Sequence, residues 1–304
     1  MEKEQLIEQI KGLKEKKQAL IVAHYYVDDD IQEIADYVGD SYYLSKVCMS
    51  RPEKLIIFCG VRFMGESAKI LNPEKTVIMA EELADCPMAH MIEVERIKEV
   101  RNQYEDLAVV CYINSTTEIK AESDVVITSA NAYDIVRKMP QKNIFFVPDE
   151  HLGRYIAGKL PEKNFIFNDG FCHVHTSITK EALEKAKAIR PEAEILVHPE
   201  CKTEIVEMGN YVGSTSGILK YASQSEKTEF IICTEMGILY ELKKQNPNKK
   251  FYSVGHRQFC PNMKRICLKD VYNALETERN PIELEQNIIE RAKGALENMH
   301  ALAK

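Results

Sequence analysis

ALIVAHYY, residues 19–26, is an apolar, β-branched run that closes on polar residues, and two later stretches repeat its form: LAVVCYIN at 107–114 and EILVHPE at 194–200. Such runs read as buried parallel strands. Each is followed by a short helical stretch and a second segment ending in Ser or Thr: ADYVGDS (35–41), SDVVITS (123–129) and GNYVGST (209–215). A third set is KLIIFCG (54–60), KNIFFVP (142–148) and TEFIICT (228–234), and a fourth is KTVIMAEELADCP, NFIFNDGFCHV and KKFYSVGHRQFCP. The period is nearly constant, at 88 residues from Ser41 to Ser129, 86 from Ser129 to Thr215, 86 from Cys86 to Cys172 and 88 from Cys172 to Cys260. A repeat of this length makes each copy one structural unit.

An amphipathic helix precedes each copy, at 2–17, 91–104 and 177–190, and helical patterns near 270–278 and 281–300 are left over at the end. Strands alternating with helices imply βαβ crossovers and parallel sheets covered on both faces. The expected fold is α/β, with three pseudo-threefold-related α/β/α sandwich domains at 1–90, 91–176 and 177–264, each on a short parallel sheet. The C-terminal helices, 265–304, are expected to pack back on the first copy. In such sheets ligands bind beyond the carboxyl ends of the strands, so function is expected in the polar residues that close each run.

Composition narrows the function classes. With 304 residues, 45% of them hydrophobic, the chain can build several cores. Its longest apolar runs, about six to eight residues, fall well short of the roughly 20 that cross a bilayer. The start, MEKEQLIEQIKGLKEKK, is charged and helix-patterned, so neither export nor membrane insertion is expected and a cytoplasmic location is. Net charge is −7 with Lys and Arg scattered, which argues against nucleic-acid binding. There is no GxGxxG after a strand and no GxxxxGK[ST] loop, the usual signs of dinucleotide or nucleoside triphosphate binding.

The nine cysteines contain no CxxC pair, and a reducing compartment is expected to keep them free, buried or metal-bound. Cys59, Cys111 and Cys233 lie inside strand runs and read as buried free thiols. Cys48 and Cys201 are unremarkable, and Cys267 has no counterpart in the other copies. Cys86, Cys172 and Cys260 differ, because each follows a fourth strand at a matching point of the repeat. Strand ends facing a common axis would bring three thiolates together. Structural zinc prefers four protein ligands, so a 4Fe-4S cubane with three thiolates and one open iron fits better.

The segments AHYY, GDS, DCPMA, YINST, TSANA, NDGFCHVH, HPEC, YVGSTSG and FCPNMK occur in an order and spacing that resembles the quinolinate synthase family over nearly the whole chain. The resemblance implies three α/β domains in a triangle around a central iron-sulfur cluster, with Cys86, Cys172 and Cys260 as its ligands. It implies condensation of iminoaspartate with dihydroxyacetone phosphate to quinolinate in NAD biosynthesis, the open iron acting as a Lewis acid. A flavin-dependent L-aspartate oxidase is the implied functional partner, since iminoaspartate hydrolyses readily. Some relatives carry a CxxC near the third cysteine. Here the next cysteine after Cys260 is Cys267, and no such redox pair can form.

Strand alternation puts residues two apart on one face, pairing His24 with Tyr26, Tyr112 with Asn114, and His198 with Glu200. By resemblance, Tyr26 and Tyr112 belong to the substrate pocket, and His198 and Glu200 to proton transfer near the open iron. Ser41, Ser129, Ser214 and Thr215 stand where strands give way to helices and suit carboxylates or phosphate, although helix capping is the ordinary use of such residues. His175 is a phosphate or carboxylate partner by resemblance, and His173 is given no role. Met64 and Met263 are either pocket wall or core filler. Lys264 could meet an anion. Glu118 and Lys120 follow YINST, in a segment that reads as a mobile lid or, more ordinarily, as a solvated charged loop.

Two other readings use the same three cysteines. One is another 4Fe-4S-dependent hydro-lyase acting on a small hydroxy acid, distinguished by its product. The other is a non-enzymatic iron-sulfur or zinc sensor, for which the chain offers no basic stripe, coiled coil or DNA-binding helix pair.

Overall fold

The computed structural model describes residues 3–255 and 257–303. Twelve strands form three four-stranded, all-parallel sheets. The first contains β1 (Ala19–His24), β2 (Tyr37–Gly39), β3 (Leu55–Cys59) and β4 (Thr76–Met79). The second contains β5 (Leu107–Tyr112), β6 (Val125–Ile127), β7 (Asn143–Val147) and β8 (Asn164–Phe167). The third contains β9 (Glu194–Val197), β10 (Tyr211–Val212), β11 (Glu229–Cys233) and β12 (Lys250–Ser253).

All three sheets have the same order, β2-β1-β3-β4, β6-β5-β7-β8 and β10-β9-β11-β12, as the repeat requires. The central strands β1 and β3 are buried at every position, which is why their sequences are continuous apolar runs rather than alternating ones. Their register, with Ala19 opposite Leu55 and Ala23 opposite Cys59, leaves the two carboxyl ends side by side. From there the chain departs in opposite directions, toward β2 and toward β4, so each unit has a switch-point crevice between its first and third strands. Cys59, Cys111 and Cys233 are fully buried in these strands, as expected of free core thiols.

The leftover C-terminal helices do two different things. Leu268–Thr277 lies on the N-terminal helix (Lys3–Lys17) and on β3 of the first unit. Gln286–Leu302 does not sit on the first unit alone as expected: it packs on β6 and on the Thr117–Ala121 and Ala132–Lys138 helices of the second unit, and on the Arg62–Leu71 helix of the first. Its apolar stripe, Ile289, Ala292, Ala295, Leu296 and Met299, is buried between them. One hydrophobic cluster consequently runs through both units and the last helix, whereas the third unit has two clusters of its own, one holding Ile195, Val197 and Ile231 and the other Leu196, Phe230 and Ile232. No helix among the described residues is long and apolar enough to cross a membrane.

Candidate active site

The carboxyl ends of strands from all three sheets meet at one pocket enclosing about 700 Å³ of empty space, mouth included. Tyr26, Tyr112, His198, Glu200, His24, Ser41, Asn114, Ser129, His175 and Thr215 all line it, together with Cys86, Cys172 and Cys260. Each expected pair therefore points the same way. Ser214 is the exception among the expected substrate residues: it is the N-cap of the Thr215–Gln224 helix, its Oγ accepting the Gly217 amide at 3.1 Å, and it does not line the pocket. Ser41 opens the Ser41–Ser50 helix, whose capping is done by Asp40, which accepts the Tyr43 amide at 2.9 Å.

The polar groups form one array across the units. Glu200 accepts a short hydrogen bond from the Tyr112 hydroxyl through Oε1, and its Oε2 lies 2.8 Å from His175 Nδ1. His175 Nδ1 is also 3.2 Å from Cys172 Sγ, and its Nε2 is 2.8 Å from Thr234 Oγ1. The Tyr26 hydroxyl sits 2.8 Å from both Thr215 Oγ1 and Thr234 Oγ1. His198 stacks on His175 at 4.6 Å between centroids, receives the Glu200 amide on Nδ1 at 3.3 Å, and has Nε2 3.2 Å from Ser129 Oγ. His24 Nδ1 likewise accepts the Tyr26 amide at 3.2 Å. The backbone thus orients two imidazoles by the same short turn, one after β1 and one after β9.

Burial separates the protonation states of these groups. It pushes His24 and His198 down to about 3, which keeps both rings neutral near pH 7. Burial and the Glu200 charge hold the Tyr26 and Tyr112 phenols well above their ordinary range. For Glu200 burial pushes upward, but the His175 charge and the hydrogen bonds from His175 and Tyr112 outweigh it, and the carboxyl lies below the usual carboxylate range. The shifts assign the proton of this pair to the phenol and leave the carboxylate as the acceptor.

The metal-binding possibilities are of two kinds. Cys172, His175 and Glu200 offer three donor atoms within 4.8 Å of one another, the only such set among the described residues, and can hold a metal ion. Cys86, Cys172 and Cys260 do not meet that spacing, whereas three thiolates on one tetrahedral ion would stand about 3.8 Å apart. Burial raises all three thiols, Cys86 to about 12, with Cys260 and Glu200 adding to it there. Deprotonating them calls for a cation.

Other lining residues were not anticipated. Glu235 is fully buried two residues beyond the end of β11, where Oε1 accepts the Cys260 amide at 3.1 Å and Oε2 the Gly237 amide at 2.6 Å. Burial, opposed by Lys264, lifts it to about 7. Thr234 precedes it and, without lining the pocket, bonds Tyr26 and His175 from behind, while Val61 and Phe63 line it just after β3 in the first unit. All occupy the third-strand side of the switch-point crevice, so the sheet order, had it been inferred, pointed to them. Met64 and Met263 both line the pocket. Lys264 meets anions of the protein itself, Asp28 at 3.2 Å and Glu235 at 3.9 Å. The segment read as a lid or solvated loop is neither: Thr117–Ala121 is a helix in which Thr117 and Lys120 are buried beneath the first unit.

Residues 8–301 match the family model described as quinolinate synthetase A protein. Similar proteins named quinolinate synthase include one from Caldicellulosiruptor bescii, 53% identical over 97% of this chain and 98% of its own length, and one from Clostridioides difficile, 51% identical over 97% of both. A third, from a Sulfurihydrogenibium species, is 45% identical over the full length of both chains. With that agreement end to end, and a pocket built by all three matched units, the chain belongs to the quinolinate synthetase A protein family.

Proposed function

We propose that this pocket is the active site in which the chain condenses iminoaspartate with dihydroxyacetone phosphate to give quinolinate, phosphate and water for NAD synthesis, and that Cys86, Cys172 and Cys260 hold a 4Fe-4S cluster there. The observation that carries the reading is the convergence of the three first-strand ends, and of one cysteine from each unit, on a single pocket. The donor set suits a cluster, since one cysteine from each unit lines the pocket and a cubane takes thiolates at separate corners. When bound, the cluster would supply an open Lewis-acid iron to polarise a hydroxyl, imine or carboxylate.

The chain's own residues do the rest. Glu200, ionised between His175 and Tyr112, accepts a proton, and the Tyr112 phenol donates one. Neutral His198 exchanges a proton through Nε2, on the side where Ser129 stands. Tyr26, fixed between Thr215 and Thr234, directs its hydroxyl at substrate. Ser41, Asn114, Ser129 and Thr215 offer donors to carboxylates and phosphate, and neutral His24 completes that wall. Val61, Phe63, Met64 and Met263 make the remainder apolar, limiting water around a hydrolysable imine. A substrate that short-lived has to be made close to where it is used, which makes a flavin-dependent L-aspartate oxidase the functional partner.

The test is an anaerobic preparation reconstituted with iron and sulfide, supplied with iminoaspartate and dihydroxyacetone phosphate, and assayed for the pyridine product. Quinolinate formation that tracks iron and sulfide content is expected. Full iron loading without quinolinate would overturn the reaction assignment, and equal turnover with a single zinc per chain would move the metal to Cys172, His175 and Glu200.

A further inference from the structure

Lys120 has no exposed surface, and no carboxylate among the described residues lies within 4.0 Å of its ammonium. Its partners belong to the first unit: the Phe63 carbonyl at 3.3 Å and Ser67 Oγ at 3.0 Å, with the ammonium 5.3 Å above the Phe63 ring. Beside it, Thr117 donates to Glu66 at 2.9 Å, and Arg62 reaches the same carboxylate at 2.8 Å from the solvent side. A buried ammonium with neutral partners contributes little to stability and often costs some. What the contacts do is mechanical. They grip the first two turns of the Arg62–Leu71 helix, from which Phe63 and Met64 enter the pocket and whose Arg62 amide holds the Ala84 carbonyl at 2.9 Å, two residues before Cys86. On its own side, Lys120 lies in the short helix that follows Tyr112 and Asn114, whose approach is fixed where Ser115 Oγ donates to the Tyr112 carbonyl at 2.9 Å.

We propose that Lys120 is a positioning residue of the active site: reaching across from the second unit, it sets the Phe63–Met64 wall and the Cys86 loop against Tyr112 and Asn114. The proposal deepens the reading of the pocket as the site of quinolinate synthesis and rests on it for its kinetic consequence only. Ammonium and wall are joined through one carbonyl and one hydroxyl, so a side chain of similar length without charge lets that wall relax while filling the space.

The experiment uses the full chain carrying Lys120→Met, with Ser67→Ala as a variant that removes one acceptor and leaves the lysine in place. In the reconstituted enzyme, Lys120→Met is expected to lower kcat/KM about tenfold, the scale of a small misplacement of reacting groups, with Tm at pH 7 unchanged or higher. A purely structural lysine would instead lower Tm and leave kcat/KM per folded molecule alone. In the cluster-free chain, alkylation of Cys86 relative to Cys260, followed by peptide mass spectrometry, is expected to rise about threefold or more, because only the Cys86 loop hangs from the gripped helix. Ser67→Ala should shift both readouts in the same direction and less. An unchanged Cys86 to Cys260 ratio in Lys120→Met would overturn the proposal, and if that variant does not fold, an unchanged ratio in Ser67→Ala does so. A wild-type enzyme that makes no quinolinate sinks the functional reading, while the alkylation ratio still judges Lys120.

Discussion

The first and second units meet through an apolar seam, closed by the last helix and continuous with both cores, whereas the third unit meets them mainly through polar groups. Across that second seam run Gln32 Nε2 to the Gly237 carbonyl at 3.1 Å, Tyr155 to the Val212 carbonyl at 3.3 Å, Ser216 to Asp40, Tyr26 to Thr215 and Thr234, His198 to Ser129, and Tyr112 and His175 to Glu200. Most of these bonds are in the pocket. Stability and chemistry are thus largely assigned to different seams. Apolar burial is non-directional and holds two units together, while directional hydrogen bonds, each worth about 1 kcal/mol net, orient the reacting groups from the third.

The sharpest way to break this comparison is at the point where the seams meet. Replacing Cys86, Cys172 or Cys260 by Ala is expected to abolish iron and sulfide retention and all turnover, with the fold kept, while Cys233→Ser, buried in β11, retains the cluster. Iron, sulfide and circular dichroism decide it, and a full complement of iron in Cys172→Ala would refute the ligand set. Next in size is the apolar seam. Leu296→Ala, in the last helix and fully buried, should cost about 3 kcal/mol in denaturant unfolding and leave kcat/KM within about twofold. A variant as stable as wild type would mean that the last helix does not close the seam.

The smallest effect concerns the buried ammonium inside the apolar seam. Burial lowers Lys120 to about 8 from an ordinary 10.5, opposed by Glu66, Cys111 and Glu118. A lysine depressed in the folded state opposes folding fully below its folded pKa, and the penalty fades as pH rises toward the unfolded value, because between the two only the unfolded chain holds the proton. Wild type is therefore expected to gain roughly 2 kcal/mol on Lys120→Met between about pH 7 and pH 9.5, measured as the difference of two urea curves. A constant difference between the two chains would show that the ammonium is not desolvated.

What the sequence made legible followed from repetition. Four strand-like runs recurring three times define the sheets, and the first strands, with polar endings in every copy, lead directly to Tyr26, Tyr112, His198 and Glu200. The third strands end in Gly60-Val61, Pro148-Asp149 and Thr234-Glu235, so an acid recurs in only two of the three copies, and Glu235 left a partial periodic signal although the sheet order places it in the crevice. Lys120 was illegible for another reason. A lysine after a strand reads as solvated unless the helix that covers it is known, and that helix is about fifty residues away in another unit. The last helix has a clear amphipathic pattern, but a pattern states that a face is buried and not against what.

The measurement closest to the central claim is kcat/KM of Glu200→Gln, taken together with iron content and Tm. The substitution removes the charge at nearly constant shape from the carboxylate that joins Tyr112 to His175 across the polar seam. A loss of about 100-fold or more is expected, the range of a positioned acid or base, with iron unchanged and Tm within a few degrees of wild type. Retention of more than about half of kcat/KM, an effect below roughly 0.5 kcal/mol, would contradict the assignment of the chemistry to this seam.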